Sequence, residues 1–291
     1  VKLPQIEYRS PVRLCDAVDL LAGSDQEAVP LAGGQSLIPL LAARARRPRV
    51  LVGLDRIDGL SYLTTSADFL EIGAMTRQRT LETDAAAAAP LLAAAAARTG
   101  HVSVRNRGTL GGTVAFAAPG AELLTAAVAL DARLRLTGPG GDRECDLRSW
   151  ITGPYTTGIA PGELVVGIRV PLRRGRSGQA LQDLSHPIGG RPVACVAAVI
   201  DAEPDGTVRL AEITVSSRAS APTVVDVTAR LADAEEAAAE TVSLDGPAIA
   251  VETNGPPAAY CRDAARVLTR RALSQAITRA RLLPEPRREV A

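Results

Sequence analysis

The chain has 291 residues with 33 Lys+Arg against 32 Asp+Glu, a formal charge of +1 that exerts no electrostatic pull on nucleic acid or acidic lipid. At 46% hydrophobic content it can bury a sizeable core, as one large domain or two to three smaller ones. Aromatic residues make up only 2%, so the core is built from Ala, Val, Leu and Ile, platforms for stacking bases are scarce, and nucleic-acid partners are excluded.

The opening VKLPQIEYRSPVR has neither an apolar core segment nor a small-residue cleavage site, which predicts that the chain is not exported and works in the cytoplasm. Residues 14–22 (LCDAVDLLA) place Leu14, Val18 and Leu21 on one helical face, with Gly23 as the stop signal. Pro30-Leu31-Ala32 reads as a short strand, Gly33-Gly34 as its exit, 36–46 as a helix and 50–54 (VLVGL) as a buried strand. These are β-α-β units, and they predict an α/β first lobe over residues 1–59.

Between 60 and 174 the runs 60–64, 69–73, 132–137 and 164–170 read as strands. Helices from Pro90 to about Thr99 and from Ala121 to Leu130 interrupt them, giving a second lobe over 60–174. After the connector RRGRSG, strands near 180–184, 193–202 and 207–215 and a last helix over 257–281 form a third domain, 175–291. That helix is expected to pack a face carrying Tyr260, Ala264, Val267, Leu268, Ala272 and Ile277. The Ala-rich run 85–97 and the run 193–200 (VACVAAVI) fall short of the ~20 apolar residues a bilayer crossing needs, so no membrane span is expected.

Cys15, Cys145, Cys195 and Cys261 lie at least fifty residues apart, and the chain has two histidines, His101 and His186. No metal-ligand or iron-sulfur spacing can be drawn from these, and the cysteines read as reduced thiols. His101 is expected to bond backbone at a helix exit, Trp150 to fill core between the two N-terminal lobes, and Arg44, Arg46, Arg47 and Arg49 to form a solvated helix end.

The chemistry sits in two glycine segments. In AGGQSLIP (32–39), Gly33 and Gly34 can take positive φ and bare their backbone N–H groups to a diphosphate, while Ser36 stands where an N-cap belongs. The alternative is a tight turn that uses glycine for geometry only. RNRGTLGGT (105–113) is a second such segment, with Gly111 and Gly112 flanked by Thr109 and Thr113. Two N–H-rich loops suit a ligand with two phosphates and a long polar linker. Neither has the glycine spacing of a Rossmann site or a P-loop.

AGGQSLIPLL (32–41), EIGAMTRQRTLE (71–82), HVSVRNRGTLGGTVAFAAPGAELLTAAVALDA (101–132) and TGPYTTGIAPGELVVGIRVP (152–171) resemble, in order and interval, the FAD-binding medium subunit of the molybdenum hydroxylases. That family includes the flavoprotein subunits of carbon monoxide dehydrogenase and the xanthine dehydrogenase group, and AYCRDAARVLTRRAL (259–273) resembles its terminal segment. The resemblance implies a two-lobed FAD fold of the p-cresol methylhydroxylase type, α/β then α+β, followed by a C-terminal three-stranded sheet with helices. It implies that Ala32, Gly33, Gly34, Gln35, Ser36 and Leu37 hold the FAD diphosphate and that Thr109, Leu110, Gly111, Gly112 and Thr113 hold a second stretch of the cofactor. Glu122 would anchor ribityl or ribose hydroxyls, and Val165 and Gln182 would border the flavin ring.

Ala118 stands where an Asp is frequent and Gln182 where a Lys is, so two charges are missing around the flavin, and 185–194 (SHPIGGRPVA) replaces a more basic, aromatic segment. The resemblance implies an oxidoreductase subunit that passes electrons from an iron-sulfur small subunit to an external acceptor, beside a molybdopterin large subunit. No residue of the chain itself is assigned a catalytic role. The alternative is a self-contained FAD-dependent oxidoreductase with its own substrate pocket over the flavin.

Overall fold

The computed structural model describes residues 5–23, 27–173, 175–185, 190, 192–233 and 258–282. His186, with residues 187–189 and 191 of the departing stretch, lies outside the described residues.

The first lobe runs β1 (Glu7–Arg9), α1 (Leu14–Ala22), β2 (Ala28–Leu31), α2 (Leu37–Ala42) and β3 (Val50–Gly53). Both β1 and β2 pair in parallel with β3, in the order β1-β3-β2, so the apolar VLVG run occupies the middle of the sheet as its composition requires. Ala17, Val18 and Leu21 of α1 pack with Val52, Leu54, Ile57 and Leu60, and Met75 and Leu164 join this cluster from the second lobe. The two lobes are thereby fixed against each other.

The second lobe begins with β4 (Leu63–Thr65) and β5 (Phe69–Gly73), then a run of helices: α3 (Gln78–Asp84), α4 (Pro90–Arg98), α5 (Val102–Arg105), α6 (Leu110–Phe116) and α7 (Glu122–Ala129). It continues through β6 (Arg133–Gly138), β7 (Gly141–Asp146), α8 (Leu147–Trp150), the small β8 (Ile151–Gly153) and β9 (Thr156–Thr157) pair, and β10 (Leu164–Pro171). An antiparallel sheet of order β4-β5-β10-β6-β7 carries this lobe. Its inward residues Leu70, Ile72, Leu134, Leu136, Ile168 and Val170 pack against the helices. Side chains of the opposite parity, Glu71, Arg133, Arg135, Glu144 and Arg169, form a ladder of ion pairs. Trp150 is core, as expected, but it joins the cluster shared by the second lobe and the C-terminal sheet rather than a seam between the two N-terminal lobes.

The C-terminal sheet has four strands among the described residues, not three: β11 (Arg176–Ser185), β12 (Pro192–Ala202), β13 (Val208–Ser217) and β14 (Ser220–Asp226), an antiparallel meander in that order. The fourth was hidden because SAPTVVD carries a proline and little alternation, and both are tolerated on an edge strand. β12 is buried on both faces. Cys195, Ala197 and Val199 face the second lobe, while Ala194, Val196, Ala198 and Ile200 face the final helix α9 (Ala258–Leu282). That two-sided burial explains why VACVAAVI shows no alternation.

On α9 the packed face is Cys261, Ala264, Ala265, Leu268, Ala272, Leu273, Ala276 and Ala280. Tyr260 and Val267 point outward, contrary to expectation, at 51% and 44% exposure. The helix lies closest to the sheet further along, where a Cβ on Gly178 of β11 would collide with the Ala276 carbonyl, and Ala272, Ala276 and Ala280 allow that approach.

Candidate functional site

The first wall of the site is the turn from β2 into α2. Gly34 has φ +75°, the left-handed region open to glycine, and Ile38 N–H donates to its carbonyl at 3.0 Å. Gln35 Nε2 donates to the Gly33 carbonyl at 3.2 Å. Among the described residues, the backbone N–H groups of Gly33, Gly34, Gln35, Ser36 and Leu37 donate to no protein acceptor. Ser36 occupies the cap position, yet its hydroxyl accepts no cap hydrogen bond and so remains available to a ligand. Because α2 has only six residues, these unpaired donors rather than a macrodipole make the turn attractive to an anion.

Gly33 has a different reason to be glycine. A Cβ there would collide with the Arg107 carbonyl oxygen and lie 2.9 Å from Gly108 Cα, so this residue lets the first turn touch the second segment. Gly111 likewise would place a Cβ 2.5 Å from that of Ala74. Packing explains these two glycines. Ligand approach is left to Gly34 and its successors.

The second wall corrects the expectation of another N–H-rich loop. Residues 102–105 and 110–116 are helical, so His101 caps a helix entry instead of ending one, and Gly111 and Gly112 lie inside α6. Thr109 Oγ1 accepts from Gly112 N–H at 3.1 Å as the N-cap of α6. Leu110 N–H donates to Thr76 O at 3.0 Å, Gly111 N–H to Ala74 O at 2.8 Å and Thr113 N–H to Thr109 O at 3.1 Å. The segment's donors are thus consumed by the fold, and it meets the cleft with side chains and glycine Cα surface.

Gln78, which sequence reasoning did not single out, completes this wall. Its Nε2 donates to Thr113 Oγ1 at 2.9 Å, its backbone N–H donates to Gly108 O at 2.9 Å, and its buried Oε1 has no protein partner. An orphaned buried acceptor in a cleft calls for a donor from a ligand.

Between these walls lies a cavity of about 270 Å³. Ala32, Gly33, Gly34, Gln35, Ser36, Leu37, Thr109, Gly111, Gly112, Thr113 and Val165 all line it, so the structure brings these expected residues together. Met75, Phe116, Ile159 and Leu164 add an apolar floor, and Arg46 is the one charged lining residue among the described residues. Phe116 meets Tyr155 edge-on at 5.2 Å between ring centroids, and Tyr155 N–H donates to Ala117 O at 2.9 Å, fixing that corner.

Three expected residues do not line the cavity. Leu110 is fully buried behind it. Gln182 Nε2 donates to Gln275 Oε1 at 3.0 Å, tying β11 to α9. Glu122, 4% exposed at the start of α7, lies near the Arg98–Asp183 ion pair (2.9 Å) and Cys195. Burial pushes its carboxyl up to about 8; its own backbone N–H and Arg98 oppose this and Asp183 reinforces it. Burial likewise holds the Cys195 thiol well above its usual range. Among the described residues no group of three or more His, Cys, Asp or Glu side chains is placed to hold a metal ion, and no helix is long and apolar enough to cross a membrane.

Residues 4–173, which contain every lining residue of the cavity, match the family described as the FAD binding domain in molybdopterin dehydrogenase. The chain is 32% identical over 289 residues, 97% of each chain, to the alpha subunit of the 6-hydroxypseudooxynicotine dehydrogenase complex of Paenarthrobacter nicotinovorans. To the carbon monoxide dehydrogenase medium chain of Afipia carboxidovorans it is 33% identical over 282 residues, 94% of this chain and 98% of the other. A crystal structure of the Cu,Mo-containing carbon monoxide dehydrogenase, cyanide-inactivated form, matches with a TM-score of 0.87 at 32% identity over 96% of this chain and 100% of that one. Since both walls of the cleft and the C-terminal domain fall within these matches, the chain belongs to the FAD-binding medium subunits of the molybdenum hydroxylases, a family of oxidoreductase subunits.

Proposed function

We propose that the cleft holds FAD noncovalently and that the chain passes electrons from an iron-sulfur subunit to an external acceptor, within a complex that also contains a molybdopterin subunit. The observation that carries the binding reading is the row of undonated N–H groups from Gly33 to Leu37 along a cavity that Gln78, whose buried Oε1 lacks a protein partner, also lines. The N–H row would hold the diphosphate, Gln78 and the Ser36 hydroxyl would bond the polar linker, and Phe116, Ile159 and Val165 would keep water from the ring. Bound FAD supplies the redox chemistry, and the protein supplies binding, orientation and electrostatics.

The partner reading rests on the relatives, which are named as subunits or chains of dehydrogenases, and on four cysteines too widely spaced for a cluster of their own. Reconstitution tests it. Substrate-driven dye reduction is expected only when the FAD-loaded chain is combined with an iron-sulfur and a molybdopterin subunit, whereas an artificial reductant reduces the flavin of the chain alone. Turnover of an organic substrate by the metal-free chain would overturn the subunit reading in favour of a self-contained flavoenzyme.

A further inference from the structure

Arg46 belongs to a run of arginines at the end of α2 that composition alone assigns to solvent. The structure turns that run back. α2 stops at Ala42, Arg44 takes φ +58°, and the backbone N–H groups of Ala45 and Arg46 return to Leu40 O at 2.9 and 3.4 Å. A positive φ at a non-glycine residue is unfavourable, so the fold holds this reversal against a local cost. Leu40 is one turn from Ser36, to which its N–H is bonded at 3.4 Å, and a turn rises only about 5.4 Å. Both ends of the short helix therefore reach one cavity, where Arg46 is the sole charged lining residue among the described residues. Arg49, three residues on, is paired with Glu27 at 3.1 Å; Arg46 has no acidic partner among the described residues.

Resting on the assignment of FAD to this cleft, we propose that Arg46 supplies the counter-charge to the cofactor's diphosphate and thereby sets the chain's preference for a phosphate-bearing flavin. The backbone N–H row offers direction but no net charge, and a diphosphate carries negative charge into a cavity whose other lining residues, among those described, are all neutral. A guanidinium with no carboxylate to satisfy fits that need, and its planar fork suits two phosphate oxygens. Because Arg46 is exposed, its attraction is screened by salt.

The test is a set of fluorescence titrations on the full chain stripped of flavin. FAD, ADP and riboflavin are titrated against wild type, Arg46→Ala, Arg46→Lys and, as a neighbouring exposed control, Arg47→Ala, at about 0.02 M and about 0.5 M salt. Arg46→Ala is expected to weaken FAD about tenfold at low salt, with a comparable loss for ADP, no loss for riboflavin, and a smaller gap at high salt. Arg46→Lys should recover part of the affinity, and Arg47→Ala should match wild type. Thermal melts of the variants matching wild type show that the loss is not one of folding. Equal FAD affinity in wild type and Arg46→Ala, or an equal loss for riboflavin, overturns this proposal while the FAD assignment stands. Failure of the wild type itself to bind FAD overturns both.

Discussion

Glu122 makes the stability of this protein depend on pH in a direction opposite to that of most carboxylates. In the folded chain its carboxyl titrates near 8, against 4.5 for an unperturbed glutamate. Between those values the native state keeps a proton that the unfolded state has released, so stability falls as pH rises through the window, and the full penalty is reached above pH 8. At about 1.4 kcal/mol per pH unit of difference, the penalty is roughly 1.5 kcal/mol at pH 5.5 and roughly 4.5 kcal/mol at pH 8.5. Glu122→Gln keeps the shape and cannot ionise. Its advantage over wild type should therefore grow by about 3 kcal/mol across that range, which at ~2 °C per kcal/mol is a Tm difference widening by about 6 °C. The assay is thermal unfolding of FAD-free wild type and variant at half-unit pH steps; comparing the two cancels every other titrating group, and omitting FAD removes ligand linkage. A difference that stays flat from pH 5.5 to 8.5 would refute the claim that a buried, protonated Glu122 sits beside the Arg98–Asp183 pair.

Gly33→Ala is expected to lower both Tm and FAD affinity, by about 1–3 kcal/mol in stability, because its Cβ collides with the Arg107 carbonyl and pushes the two walls apart. Loss of FAD affinity with an unchanged melt would show instead that this glycine serves the ligand alone. Arg105→Met should cost about 2 kcal/mol in urea unfolding, since it removes the bonds to Glu82 at 2.8 and 3.4 Å, leaving that carboxylate to Arg79 at 2.8 Å, and strands the carbonyls of Thr99 and Gly100; a change below about 0.5 kcal/mol would contradict a structural role for that knot. Denaturing the FAD-loaded chain should release all of the yellow chromophore, as neither 32–37 nor 105–113 contains a His or Cys to form a covalent link. Colour that migrates with the polypeptide would show otherwise.

What could be read from the chain was whatever is decided locally. Leu14, Val18 and Leu21 with Gly23 define α1 because its period and its stop signal lie within ten residues, and α4 announces itself by Pro90 and its alanines. α6 shows where local reading fails. Two adjacent glycines disfavour a helix by about 1 kcal/mol each, yet residues 110–116 are helical because Ala74 and Thr76 supply acceptors from another segment and Thr109 caps the end. The binding site divides along the same line. The 32–37 turn carries its meaning in its own residues, since Gly34 needs positive φ and the N–H groups after it have no partners. Gln78 and Arg46 enter the cavity only through events that no spacing encodes: the bridge between Arg77 and Thr109 that sets Gln78 beside Thr113, and the reversal at Arg44 that folds Arg46 over Leu40. A resemblance carried across residue by residue inherits the first kind of information and is silent on the second. The residues most specific to this chain's own cleft are therefore to be sought where a basic run is bent to the cleft's edge by a backbone reversal, as at Arg44, or a polar helix start is set there by another segment, as at Gln78.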